Sequence, residues 1–255
     1  MESFHSNSVE IFYTVFEPLD QDRQEPIVLA HGFASTHAVN WMFTQWVKTL
    51  TEDGRRVILF DLRGHGRSQK LYEPEAYTFA AMAGDLGGLL DHLGLDRADL
   101  MGYSLGARVA TYFTLHHPER VRSLILGGVG VSLLAPSATQ PGMAEAMEAE
   151  RIEDIDDPSL KIFRGFAEST RSDLKALAAC ARGSRGGFEP ADLAKIATPT
   201  LVCAGTRDDV AGDPHPLAQM FQNAHIVDVP GRDHNRAVGD RIFKQAALDF
   251  LAERP

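Results

Sequence analysis

The chain is poor in cysteine, lacks long apolar runs, and has too few cations to balance its anions. Cys180 and Cys203 are its only 2 cysteines in 255 residues. They lie far apart, without a CxxC or Cys/His spacing, which argues against a disulfide framework and a structural zinc site. No segment reaches the roughly 18 consecutive apolar residues needed to span a bilayer. The start, Met1-Glu2-Ser3-Phe4-His5, has neither a basic region nor an apolar stretch, so a cytoplasmic protein with no membrane partner is expected. Lys and Arg number 25 against 35 Asp and Glu, a formal net charge of −10. No concentrated basic patch interrupts that excess, which argues against a nucleic-acid partner. His215 stands between Pro214 and Pro216 with no second ligand at metal spacing, and no metal or cofactor is expected.

What is present is ordinary for a globular chain: 44% hydrophobic and 24% charged residues, enough to bury a sizeable core. Short apolar runs alternate with longer segments of helical periodicity, the sequence form of an α/β fold with a mostly parallel, doubly wound sheet. The expected strands are Pro26 to Ala30, Val57 to Phe60, Ala98 to Met101, Val121 to Leu126, Pro199 to Ala204 and His225 to Val229, with Val9 to Phe16 read as an antiparallel edge pair. Helices are expected from Trp41 to a stop near Asp53-Gly54, and over Thr78 to Leu93, Ala107 to Leu115 and Arg236 to Ala252. Between about Ser132 and Ala197 the rhythm breaks. Acidic and alanine-rich pieces replace strands there, with Met143 to Ile155 and Leu174 to Ala181 reading as helical, so this stretch is an insertion in a core made of 1–131 and 198–255.

The pentapeptide Gly102-Tyr103-Ser104-Leu105-Gly106 falls at a strand-to-helix junction. A sharp turn there forces strained dihedrals on the serine, and the flanking glycines let neighbouring backbone approach without a Cβ clash. A serine hydroxyl is a weak nucleophile at neutral pH and needs a base, and the base needs an orienting group. Two further segments supply them. Asp208 and Asp209 follow the strand Pro199 to Ala204, and His234 follows the strand His225 to Val229 through Pro230-Gly231-Arg232-Asp233. In an open parallel sheet these strand ends share the ligand-binding edge, and the chain order serine, acid, histidine suits a nucleophile elbow. Asp208, three residues past Gly205, is preferred over Asp209 as the acid. Attack on a carbonyl also requires N–H donors for the oxyanion. Leu105 N–H, next after the serine, and Phe33 N–H, in the loop His31-Gly32-Phe33 after the strand Pro26 to Ala30, are the candidates. Tyr103 is expected to line a substrate pocket or to pack beneath it. His37 and Asn40, beside the oxyanion loop, read as loop-stabilising hydrogen-bonding residues with substrate contact as the alternative, and His116 and His117 as helix-capping ones.

Taken together, these residues resemble the α/β-hydrolase superfamily over nearly the whole chain. His31-Gly32-Phe33 is similar to its oxyanion loop, and Asp61-Leu62-Arg63-Gly64-His65-Gly66-Arg67-Ser68 to the Asp-x-Arg-Gly-x-Gly-x-Ser loop of its esterase, epoxide-hydrolase and lactonase branches. The resemblance implies that Asp61, Arg63 and His65 are structural, and that Ser132 to Ala197 is a helical cap that covers the pocket and selects substrate. A serine in place of an aspartate at the elbow argues against the dehalogenase and epoxide-hydrolase branches, whose covalent ester requires a carboxylate nucleophile. The expected activity is hydrolysis of a small-molecule carboxylic ester or lactone through an acyl-enzyme. The same triad also serves carbon-carbon bond hydrolysis of ring-fission diketones, and the same fold can serve a ligand-binding receptor or scaffold.

Overall fold

The computed structural model describes residues 2–18 and 24–253. Eight strands form one sheet in the order β1-β2-β4-β3-β5-β6-β7-β8. They are β1 (Glu2–Ser6), β2 (Val9–Phe16), β3 (Gln24–Ala30), β4 (Arg55–Phe60), β5 (Ala98–Tyr103), β6 (Val121–Gly127), β7 (Thr200–Gly205) and β8 (Ala224–Val229). From β4 to β8 all neighbours are parallel, while β1 and β2 form an antiparallel edge. Val9–Phe16 is thus one strand and not a pair. Its partner is Glu2–Ser6, reached through Asn7 and Ser8, which both take positive φ.

The central strands read as near-continuous apolar runs because both sheet faces are covered. Successive residues divide between two cores. Val28 and Ala30 of β3 and Ile58 and Phe60 of β4 join one cluster, and Ile27, Leu29, Val57 and Leu59 join the other. The first cluster contains Met82, Leu86 and Leu89 of α2 (Phe79–His92) and Val109 and Phe113 of α3 (Leu105–His116). The second contains Trp46 and Leu50 of α1 (Trp46–Glu52) and Phe243, Phe250 and Leu251 of a C-terminal helix (Arg241–Glu253). Each large side chain removed from water in this way contributes about 2 kcal/mol. Two of the three glycines of α2 are explained by contact: a Cβ on Gly87 would lie 3.2 Å from the Phe113 ring, and one on Gly88 3.2 Å from the Phe4 ring. Gly84 has open space, and nothing in the structure explains it.

The helix expected from Trp41 to near Asp53-Gly54 ends where expected, at Glu52, but is divided. A π-helical turn spans Ala38–Met42, Gln45 takes φ 66°, and α1 begins only at Trp46, which leaves Phe43 74% exposed. Between β6 and β7 the chain makes α4 (Met143–Glu148), α5 (Pro158–Ser169), α6 (Leu174–Gly183) and α7 (Pro190–Leu193). The helix expected from Met143 stops at Glu148 and not at Ile155, and α5 was not expected, although Asp157 caps it through the N–H groups of Ser159 and Leu160 and Pro158 opens it. Buried Arg108 of α3 anchors the chain where it leaves the sheet, donating to the carbonyls of Ser132, Leu133 and Ala135. After β7 come α8 (Pro214–Ala218), β8, and then two helices where one was expected, α9 (His234–Ala237) and α10 (Arg241–Glu253).

Candidate active site

The neighbours of β3 are β4 and β5, so the crossovers change direction at β3, and a crevice opens beyond the carboxyl ends of β3 and β5. Each candidate residue follows one of these strands or their neighbours. Ser104 is the single residue between β5 and α3, with φ 55° and ψ −114°, a conformation in which a non-glycine residue is strained. The close backbone approach around it admits only glycine two residues to either side. A Cβ on Gly106 would lie 2.0 Å from the Ala30 carbonyl oxygen, and one on Gly102 would lie 2.4 Å from the Gly106 oxygen.

Beyond β7, Asp208 is 4% exposed and accepts hydrogen bonds from the N–H groups of Val210 at 3.1 Å and Ala211 at 2.8 Å. Beyond β8, His234 Nδ1 donates to the two Asp208 carboxylate oxygens at 3.0 and 2.9 Å. That bond fixes the tautomer, leaving Nε2 as the acceptor on the other side of the ring. Asp209 is exposed. Ser104 and His234 line one cavity of about 130 Å³, together with Gly32 and Phe33 of the loop after β3. The Phe33 and Leu105 N–H groups donate to no acceptor among the described residues.

Tyr103 also borders this cavity, but it is only 4% exposed, and its hydroxyl donates to the backbone carbonyl of His234 at 2.6 Å. Burial raises its phenol pKa well above the ordinary value, with the Asp208 charge adding to the effect. His31 is fully buried and has both ring nitrogens occupied: Nδ1 donates to the Gly32 carbonyl at 2.8 Å, and Nε2 accepts from Leu62 N–H at 3.1 Å. Burial lowers its pKa, so it stays neutral and holds the loop after β3 to the one after β4. His37 donates its backbone N–H to Asp61 at 2.7 Å, with Nδ1 at 2.9 Å from the same oxygen, and Asn40 Oδ1 accepts from Gly32 N–H at 3.3 Å.

The loop from Asp61 to Ser68 is consumed by scaffold contacts. Arg63 makes a two-pronged bond to buried Asp85 at 2.7 and 2.6 Å, and Ser68 Oγ donates to the Asp61 carbonyl at 2.6 Å while accepting from Phe12 N–H at 2.9 Å. Burial tends to raise the Asp61 carboxyl pKa, but the hydrogen bonds from His37 and the nearby His31 outweigh it and hold the group well below the usual range. Burial pushes His65 down to about 3. None of Asp61, Arg63 or His65 borders the cavity.

Sequence reasoning missed the opposite wall, Phe163 and Phe166 of α5. Their i, i+3 spacing behind the Asp157-Pro158 helix start was the available signal. Thr170 Oγ1, just past α5, donates to the Ala34 carbonyl at 2.9 Å, tying α5 to the loop after β3, where Ala34 takes φ 58°. Ser35, Val39, Asn40, Thr44, Asn235 and Val238 complete the lining. Elsewhere, His215 Nε2 lies 3.0 Å from Asp228, and Cys180 and Cys203 are buried free thiols. Among the described residues no helix is long and apolar enough to cross a membrane, and no group of three His, Cys, Asp or Glu side chains is arranged to hold a metal ion.

A mostly parallel sheet with a strained serine elbow at its switch point, and an Asp-paired histidine bordering the same cavity, defines a class of α/β proteins. Residues 25–185 match the family model for the alpha/beta hydrolase fold, and the chain belongs to that family. It is 37% identical over 99 residues to Epoxide hydrolase 2 of Siraitia grosvenorii, a match spanning 39% of this chain and only 30% of that protein. It is 28% identical to Putative carbamate hydrolase RutD of Variovorax paradoxus, over 95% of this chain and 96% of that one. Among solved structures, a hydrolase from Pseudomonas aeruginosa PA01 superimposes with a TM-score of 0.78 at 26% identity, covering 98% of this chain and 97% of the other.

Proposed function

We propose that this chain is a serine hydrolase that cleaves a small carboxylic ester or lactone through an acyl-enzyme. The observation that carries the reading is the bond of His234 Nδ1 to both Asp208 oxygens, on a ring that borders the same cavity as Ser104. Ser104 Oγ attacks the carbonyl carbon while His234 Nε2 takes its proton. Asp208 holds the ring and stabilises the imidazolium. The N–H groups of Phe33 and Leu105 receive the oxyanion, a contribution of about 3 to 4 kcal/mol to the transition state. His234 then protonates the leaving alcohol, and a water activated by the same imidazole hydrolyses the acyl-serine.

The segment Ser132–Ala197 serves as a cap in this reading, supported by the aromatic wall that Phe163 and Phe166 of α5 give the cavity. Ser104 in place of a carboxylate disfavours epoxide opening despite the similarity to Epoxide hydrolase 2. A carbamate, the substrate class named for the RutD relative, would offer the same kind of carbonyl to the serine. Ser104→Ala should keep the melting temperature of the parent and abolish turnover of an activated short-chain ester such as 4-nitrophenyl butanoate. Labelling by a fluorophosphonate should vanish in the same variant. An unaltered ester rate would sink the proposal.

A further inference from the structure

Two buried polar side-chain atoms of residues that line the cavity have no partner among the described residues: Ser35 Oγ and Asn40 Nδ2. Their residues are 3% and 6% exposed, and both border the cavity that holds Ser104 and His234. Such atoms are rare in folded proteins, because burying a hydrogen-bonding group without a partner forfeits its bonds to water. Neither atom has a scaffold task left to explain it. The Asn40 amide is oriented by Gly32 N–H, which donates to Oδ1 at 3.3 Å and therefore leaves the NH₂ group, a donor, unused. The Asn40 backbone is pinned on both sides, its N–H to the Thr36 carbonyl at 2.9 Å and its carbonyl to Thr44 Oγ1 at 2.5 Å. Ser35 is held by its own N–H on the Gly32 carbonyl at 3.2 Å, next to the strained Ala34.

Resting on the hydrolase reading above, we infer that Ser35 and Asn40 form a polar subsite that binds an uncharged acceptor oxygen of the substrate's acyl chain. The rest of the wall states what kind of oxygen it is. Phe33, Val39, Phe163, Phe166 and Val238 make the lining predominantly apolar, and no Lys or Arg among the described residues borders it, so a carboxylate would enter without a counter-charge. An ether, keto or ester oxygen offers lone pairs to both donors at no such cost. Position follows from Gly32. A Cβ placed there would lie 3.4 Å from Ser104 Cβ and 3.8 Å from Asn40 Oδ1, so nucleophile and amide flank one glycine. An oxygen two or three bonds from the attacked carbonyl suits that separation, and a cavity of about 130 Å³ admits only a short acyl chain.

The test uses two nearly isosteric esters, 4-nitrophenyl methoxyacetate and 4-nitrophenyl butanoate, which exchange one oxygen for one methylene. The quantity read is the ratio of their kcat/KM values in each variant divided by the ratio in the parent, which cancels the esters' intrinsic reactivities. Ser35→Ala and Asn40→Asp should each lower the discrimination by about tenfold, the value of one hydrogen bond lost. Ser35→Thr, which keeps the hydroxyl, should restore most of it. A discrimination unchanged in both variants overturns the subsite and assigns the two atoms to solvent. Calorimetric titration of Ser104→Ala with N-phenyl methoxyacetamide and N-phenyl butanamide decides the same point without turnover. Tighter binding of the first supports the subsite, while equal affinity, or binding of neither, overturns it. Failure of the parent to hydrolyse either ester counts against the hydrolase reading, and the titration still decides the subsite.

Discussion

The Tyr103 hydroxyl donates to the backbone carbonyl of His234 at 2.6 Å, so the residue preceding the elbow serine holds the residue proposed as its base. The aromatic ring adds a second hold, with its centroid 5.4 Å from that of His234. The contact links the end of β5 directly to the turn after β8, across the sheet order that separates them. Tyr103→Phe keeps the ring and removes the bond. The expected result is a kcat about tenfold lower with KM changed by less than twofold, and a loss of about 1 kcal/mol in stability from the unpaired carbonyl. Steady-state kinetics and urea unfolding check both halves, and an unchanged kcat would show that the bond has no part in positioning His234.

Asp208 and Asp209 are adjacent, yet the fold treats them differently. Asp208 is buried and receives two backbone N–H groups besides the imidazole, whereas Asp209 is exposed. Asp208→Asn should invert the hydrogen bond to His234 Nδ1, favour the wrong tautomer and lower kcat by roughly 10²- to 10⁴-fold. Asp209→Asn should stay within twofold of the parent. Ester hydrolysis by the two purified variants makes the comparison, and equal losses would remove the special role of Asp208.

The parts of this molecule that the sequence makes legible are those in which local pattern and tertiary need coincide. Ile27 to Ala30 of β3 and Val57 to Phe60 of β4 are apolar at every position because each face of the sheet has its own core, and Ser104, Asp208 and His234 each stand just past a strand. The break in the helix expected from Trp41 was not legible. Gln45 takes φ 66° with no glycine or asparagine to announce it, and packing of Trp41 and Trp46 into the second core imposes that conformation. The aromatic wall of α5 and the unpaired donors of Ser35 and Asn40 depend on which segments meet in space, for which one chain's periodicity carries no signal.

Gly106 offers a stability test of the elbow. An added methyl would meet the Ala30 carbonyl oxygen at 2.0 Å and the His31 oxygen at 2.6 Å, both backbone atoms of β3 or its loop that cannot swing aside as a side chain would. Gly106→Ala should therefore destabilise the fold by about 3 kcal/mol or more. Gly84→Ala, where the added methyl meets nothing within 4 Å, should instead stabilise α2 by up to about 1 kcal/mol. Urea denaturation of the two variants beside the parent measures both. Similar effects at the two sites would contradict the close approach of α3 to β3.

Acid sensitivity should come from the buried histidines of the scaffold as well as from its carboxylates. His65 is fully buried, and burial pushes its imidazole down from 6.5 to about 3. His31, also fully buried, is lowered for the same reason. In the unfolded chain both regain ordinary values, so below about pH 6.5 the unfolded state binds protons that the native state refuses. Their contribution is therefore complete above about pH 6.5 and is lost progressively as the pH falls toward 3. For His65 alone the loss between pH 6.5 and 4.5 is about 2 to 3 kcal/mol. Asp61, held low in the native state, steepens the decline only below its ordinary value of 3.8. Urea unfolding at pH 7.0, 5.5 and 4.5 should show stability falling with acid, and His65→Gln, which cannot titrate, should flatten that slope by about 1.4 kcal/mol per pH unit. A parent profile that is level across this range, or a slope that the variant leaves untouched, would mean that His65 is not kept neutral by its burial.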